Sequence, residues 1–330
     1  MMALLVAVTL TATVVGSGVA AGPLVHRAAP ALMRAPRLAV AVLLGVLLIW
    51  LAGLAAMGPM LAWGFSSPNG LLPGNSGVIC QRCLDAANPL PAGMAIQTSM
   101  PTVVLLMLPV VLIGTMLIGG YRYSRQHTKQ RAQLLNALQA GAYQTWIAGQ
   151  AVTIVPHAQP TAFALAQPRW GIVVSTALLE TLTDDELTAV ITHEAAHVRQ
   201  RHHLIVGALH GGVSTLRWVP LIATMKAAIP LYLEMAADNA ARRRTSTPIL
   251  ASALLKLGEK TGPATKHDAC AAVALHAAGT DRIRHLVAPP AGTQGLAPVS
   301  IIFSMAAIVL ASSVIVHLPY LRAVLDGCLI

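Results

Sequence analysis

Charge is what this sequence has least of. Asp, Glu, Lys and Arg make up 10% of its 330 residues and hydrophobic residues 55%, where ordinary soluble domains carry about 25% charged residues. That balance excludes a typical soluble domain and points to a polytopic membrane protein. Acidic residues are scarcest, 12 against 22 Lys and Arg, for a formal net charge of +10. Aromatics are only 4%, too few to build a stacking platform, and direct nucleic-acid binding is not expected. Membrane orientation and contact with the anionic headgroups of a lipid bilayer explain the excess cations more simply.

Four long stretches contain no Asp, Glu, Lys or Arg: Met1 to Val25, Leu38 to Gln81, Ala86 to Tyr121 and Leu286 to Leu321. A helix needs about 20 apolar residues to cross a bilayer, so each stretch holds one span, expected near 3–22, 38–62, 101–120 and 299–319. The first lacks a preceding basic segment, which makes it an anchor rather than a cleaved signal peptide. Arg27, Arg34 and Arg37 follow the first span and Arg122, Arg125, Lys129 and Arg131 the third, whereas loop 63–100 carries only Arg82 and Asp85. Cationic loops stay in the cytoplasm. The expected topology is therefore a multi-pass plasma-membrane protein with both termini outside. Residues 1–120 form three spans, 121–298 a cytoplasmic domain, and 299–330 a final span with a short external tail.

Within the cytoplasmic part, His193-Glu194-Ala195-Ala196-His197 reads H-E-x-x-H. With 12 His and five Glu in the chain, random placement gives roughly one such match per 150 chains of this composition. Thr183 to Glu186 reads as a capping box, and Leu187, Val190, Ile191 and Val198 continue with helical spacing. On such a helix the two imidazoles lie one turn apart on one face and can share a zinc ion, with Glu194 in reach of the metal's water as general base. A catalytic site needs a third protein ligand. The next acid is Glu234, followed four residues on by Asp238, in a segment that Pro230 would start and alanines continue. Glu234 is the expected ligand, and Asp238 the partner that accepts the far ring N–H of a ligand histidine. The bland alternative is a pair of solvated acids facing Arg242 to Arg244.

His193-Glu194-Ala195-Ala196-His197-Val198-Arg199 followed by Glu234-x-x-Ala237-Asp238 resembles the membrane-embedded gluzincins. These include HtpX-like and CAAX-prenyl-processing proteases and the BlaR/MecR-type antirepressor metallopeptidases. Ile172 to Ser175, Glu186 to Val190 and Trp218 to Leu221 look most like the BlaR/MecR type, and the resemblance covers about residues 150 to 290. It implies a mostly α membrane protein of about four transmembrane helices, with a cytoplasmic α+β gluzincin-like zinc peptidase domain. It further implies one zinc ion per chain and site-specific, signal-dependent cleavage of a protein such as a BlaI/MecI-like repressor. The antirepressor proteases that sense β-lactams carry a long external penicillin-binding domain, for which a chain ending at Ile330 leaves no room, so that stimulus does not carry over. Two alternatives stand beside this reading: an HtpX-like quality-control protease, and a catalytically idle zinc-binding sensor. Glu194 argues against the second, because a structural site needs no general base.

Ala151 to Val155, Thr161 to Leu165 and Ile172 to Ser175 are short β-favouring runs between prolines, suggesting a small sheet on the zinc helices. Peptidases of this type pair an extended substrate with an edge strand beside the active-site helix. Ile172, Val173, Val174 and Ser175 are the candidate for that strand, the alternative being an internal strand with no free edge. Between the zinc helices, a span over 204–233 would bury Arg217 and Lys226, each costing roughly 2.5 to 3.5 kcal/mol at the bilayer centre. Helices lying on, or dipping into, the inner leaflet are expected instead. Cys80 and Cys83 make a small disulfide or a redox- or ligand-sensing loop, but not a structural zinc site, which needs four ligands. Cys328 lies in the external tail, and Cys270 reads as a buried small hydrophobe. His202, His203 and His210, or Arg242 to Arg244, are rivals for stabilising an oxyanion, with surface contact the more ordinary expectation for the histidines.

Overall fold

The structure, a computed structural model, describes residues 2–66, 96–97, 102–138, 141–165, 171–260, 279–288 and 292–325. Helices α1 (Met2–Leu32) and α2 (Pro36–Gly64) form a hairpin closed by the short turn 33–35. Phe65–Ser66 (β1) pairs in parallel with Ile96–Gln97 (β2). Helix α3 (Thr102–Leu138) is charge-free to Tyr121 and basic beyond, so one helix runs from the apolar stretch into the cationic one. The readings of Cys80, Cys83, Cys270 and Cys328 lie outside the described residues.

Strands β3 (Tyr143–Ile147), β4 (Gln150–Val155), β5 (Ala162–Ala164) and β6 (Ile172–Ser175) form one sheet in the order β3-β4-β6-β5. β4 and β6 run parallel and the other pairs antiparallel. Three of these strands were expected, and β3 adds a hairpin through Ala148 and Gly149, both at positive φ (53° and 73°). Such turns match the strand twist. Ile172–Ser175 is internal: β4 fills one side and β5 the other. All four of its residues are buried, as the continuous Ile-Val-Val run demands of a strand covered on both faces. It therefore has no free edge, and the edge strands of this sheet are β3 and β5.

Helix α4 (Thr176–Thr181) is capped by Ser175, whose hydroxyl accepts from the Leu178 N–H at 3.2 Å. Helix α5 (Asp184–Arg199) begins with the expected capping box: the Thr183 N–H donates to Glu186 Oε2 at 2.8 Å, and the Glu186 N–H donates to Thr183 Oγ1 at 3.4 Å. After α6 (His202–Gly207) the chain passes through a π-helical segment (Ala208–Gly212) and a 3-10 turn (Ser214–Leu216). Helices α7 (Pro220–Arg244), α8 (Thr247–Lys260), α9 (Gly279–Val287) and α10 (Leu296–Leu325) complete the described chain. Pro230 does not start α7. Pro220 occupies its first turn, where a missing N–H costs nothing, and Pro230 sits inside the helix, held by packing.

Among the described residues, three helices are long and apolar enough to cross a membrane: Ala7–Leu32, Pro36–Trp63 and Leu296–Pro319. Their core joins Leu43, Trp50 and Val309 to Ile222, Met225 and Ile229 from the first half of α7. The Trp50 indole donates to the Val14 carbonyl at 2.9 Å, satisfying a polar group in apolar surroundings. Val219 and Trp50 lie beside Gly18, midway along α1, so the turn into α7 reaches the middle of the bundle rather than its end. A second core lies between the sheet, α5 and α8, with Val174, Leu178, Ile191 and Leu257 at its centre.

Glu186 ties these elements together. Its Oε1 accepts from Ser252 at 2.6 Å and its Oε2 from Lys256 at 2.7 Å, both on α8. Burial alone would push this carboxyl up, but Lys256, Ser252 and Thr183 overcome it and hold it at about 2, below the ordinary 4.5. A depressed folded-state pKa adds stability that is complete above the unfolded value and lost as pH falls through the folded one. Glu186→Gln should therefore lower the melting temperature in detergent at pH 7, with the difference from wild type closing between about pH 4.5 and pH 2. An equal difference at pH 7 and pH 3 would mean the charge contributes nothing.

Candidate active site

The capped helix α5 carries His193 and His197 one turn apart, their Nε2 atoms 3.1 Å from each other. Helix α7 brings Glu234 across: Oε2 lies 3.3 Å from His193 Nε2, and Oε1 lies 3.4 Å from His197 Nε2. A tetrahedral zinc ion with bonds of about 2.0–2.1 Å sets neighbouring ligand atoms roughly 3.4 Å apart. The three observed separations match that spacing, so the donor set fits the ion. These three residues are also the one group of His, Cys, Asp and Glu side chains suited to holding a metal among the described residues.

Asp238, one turn beyond Glu234, is fully buried, with Oδ1 3.0 Å from His193 Nδ1. The contact is short but off line for a hydrogen bond. Asp238 therefore holds the far side of the ring whose Nε2 faces Glu234. Neither acid is a solvated partner of Arg242 to Arg244. Their cation is Arg282 on α9, which is 2% exposed and donates from Nε and Nη2 to the two Asp238 oxygens at 2.8 and 2.6 Å. Its Nη1 lies 3.3 Å from Glu234 Oε2. Arg282 went unread in the sequence because 44 residues separate it from Asp238. Its one trace is register: it shares the buried face of α9 with His285 and Leu286.

The electrostatics favour positive charge between the carboxylates. Burial works against a charged His193, yet Asp238 and Glu234 on its two sides raise it to about 10. Burial would also raise both acids, but Arg282 and His193 hold Asp238 well below the carboxylate range, and His193 lowers Glu234. His197 is held down to about 3, first by burial and then by the charge on His193, so its ring is neutral. Two ionised carboxylates against one permanent guanidinium leave a negative charge to be balanced by a proton on His193 or by a cation in its place.

Glu194 lies beside this cluster. Burial pushes its carboxyl up to about 7, with Glu234 adding to the rise and His193, the Ala164 backbone and Arg282 opposing it. Ala164 belongs to β5. There the Leu165 N–H donates to Gly171 and the Ser175 N–H to Thr161, so odd-numbered residues face β6. Ala162 and Ala164 turn outward, and Ala164 meets Glu194. The edge strand and the motif helix thus open onto one another.

His202 is 3% exposed and its Nδ1 lies 2.8 Å from His197 Nδ1, so it belongs to this cluster rather than to the surface. Of the other residues weighed for oxyanion contact, Arg244 is engaged elsewhere, donating to the Ala148 carbonyl at 3.0 Å.

An H-E-x-x-H helix thus faces an acidic second helix, on a small mixed sheet joined to membrane-length helices. The BlaR1 peptidase M56 family model matches residues 75–286, more than half of the sequence, and the chain belongs to that family. A protease HtpX homolog of Neisseria meningitidis is 35% identical over 100 residues, 30% of this chain and 36% of that protein. Protease HtpX of Legionella pneumophila is 31% identical over 162 residues, 35% of this chain and 58% of that protein. The matches thus span less than two thirds of these relatives. No solved structure matches.

Arg282 generates a direct test. Arg282→Met leaves the Asp238 carboxylate buried without its partner, a change that costs about 3–5 kcal/mol. The purified variant should melt well below wild type, and Arg282→Lys should recover only part of the loss, since an ammonium cannot make the paired contact. A Met variant as stable as wild type would show that Asp238 does not depend on the guanidinium.

Proposed function

We propose that this chain is a zinc-dependent membrane endopeptidase, with His193, His197 and Glu234 holding the metal and Glu194 as general base. The carrying observation is the set of three ligand-atom separations of 3.1 to 3.4 Å. Bound there, zinc would supply Lewis acidity toward the scissile carbonyl and toward water. Glu194, with a carboxyl raised to about 7, is suited to take a proton from the attacking water and return it to the leaving amine as the C–N bond breaks. Asp238, itself held by Arg282, keeps the His193 ring oriented. The outward edge of β5 beside Glu194 is where we place an extended substrate, paired backbone to backbone.

The topology we propose keeps both termini outside and the site cytoplasmic, with α3 as a fourth span. The loading of Arg and Lys after the first and third apolar stretches supports it. The turn before α7 then dips into the inner leaflet as far as Gly18. For the substrate we favour regulated, site-specific cleavage of a cytoplasmic repressor-like protein, supported by the family's BlaR1 affiliation. Removal of damaged membrane proteins is the second reading, favoured by the HtpX names of the relatives. Substrate breadth separates the two.

In purified protein, His193→Ala and His197→Ala should each lose much of the zinc, whereas Glu194→Gln should keep it and lose cleavage. Glu234→Ala should bind nearly as poorly as a histidine variant, and Asp238→Ala should lose only about 10- to 100-fold. Metal analysis decides the ranking, and full zinc in a His193→Ala/His197→Ala chain refutes the site. Separately, reporter fusions after residues 30, 75, 140 and 330 should read inside, outside, inside and outside. An outside signal at 140 would remove the cytoplasmic site.

A further inference from the structure

Arg37, in the first turn of α2, donates from Nε to Gln200 Oε1 at 3.1 Å. The same oxygen lies 3.2 Å from His202 Nε2, and His202 Nδ1 lies 2.8 Å from His197 Nδ1. Three side chains thus lead from the start of a membrane-length helix to the back of the His197 ring.

The direction of every bond in this chain is set from its outer end. A guanidinium only donates, so the Gln200 oxygen and not its NH2 must face Arg37. An amide oxygen only accepts, so His202 presents an N–H at Nε2. His202 is 3% exposed, and a buried imidazole takes its neutral form, with a single proton on the nitrogen that faces the amide oxygen and therefore a lone pair at Nδ1. His197 must then donate from its own Nδ1. That leaves the lone pair of His197 on Nε2, the atom 3.1 Å from His193 Nε2 and 3.4 Å from Glu234. The opposite tautomer would set two lone pairs 2.8 Å apart.

We propose that Arg37, Gln200 and His202 are positioning residues that lock His197 in its ligating tautomer, so that the seating of membrane helix α2 governs the metal affinity of the site. The proposal rests on the reading of His193, His197 and Glu234 as the metal group. The full chain in detergent provides the test, with zinc affinity measured by chelator competition and the ligand field read from the absorption of the cobalt-substituted protein. His202→Phe and Gln200→Met should weaken zinc binding by about 10- to 100-fold, the usual loss when a partner behind a ligand is removed, and should alter the cobalt spectrum. Gln200→Glu, whose carboxylate accepts from both neighbours, should keep the affinity and spectrum of wild type. Arg37→Met should weaken binding and Arg37→Lys should restore it. A merely structural Gln200 would not separate Glu from Met in this way. Wild-type affinity in Gln200→Met, or a Gln200→Glu chain as weak as Gln200→Met, overturns the relay while leaving the metal site standing. A wild-type chain that binds no zinc overturns both.

Discussion

Asp238 is a carboxylate with no exposed surface, and the arrangement of the site follows from how its charge is compensated. An isolated buried carboxylate would cost far more than a domain's margin of stability. Arg282 satisfies it with two short contacts, and His193 supplies a third from the opposite side. Because Arg282 also reaches Glu234, one guanidinium fixes both acids of α7 relative to α9. The imidazole of His193 is then caught between two carboxylates, one on each nitrogen. A site of this kind is selective for positive charge before any ligand arrives, since the carboxylates are oriented by the fold and not by the ion.

Helix α7 has two characters along its length. Its first half packs Ile222, Met225 and Ile229 against α1 and α2, while its second half presents Glu234 and Asp238 to α5. The capping box at the start of α5 and the Glu186 contacts to α8 fix the other partner, so both halves of the donor set sit on braced helices. The sheet completes the arrangement by placing the outward face of β5 beside Glu194.

The local chemistry was legible in the sequence, and the long-range pairing was not. The capping box, the facing histidines and the Glu234–Asp238 turn are short-range patterns that a helix converts directly into geometry. Three of the four strands in the larger sheet were legible because β-branched residues sit between prolines; β3 was missed because its turn begins with alanine rather than with the glycine or asparagine that marks such hairpins. The position of Ile172–Ser175 inside the sheet depends on strand order, which no local pattern encodes. Pro230 was misread as a helix start because packing on the bundle overrides a missing N–H. Arg282 was hidden, and His202 was expected at the surface, for the same kind of reason: what makes each of them important is a partner on another element.

The continuity of α7 also bears on how the catalytic part can be handled. A fragment trimmed to the region between the third and fourth apolar stretches would keep every candidate ligand yet strip the apolar face of α7 of the helices that cover it. Met225 and Ile229, now nearly without exposed surface, would face water on the very helix that carries Glu234. The candidate ligands are therefore not carried on a module that stands apart from the membrane-length helices. Those helices are part of the hydrophobic core that covers α7, and solubilising the site means carrying them along.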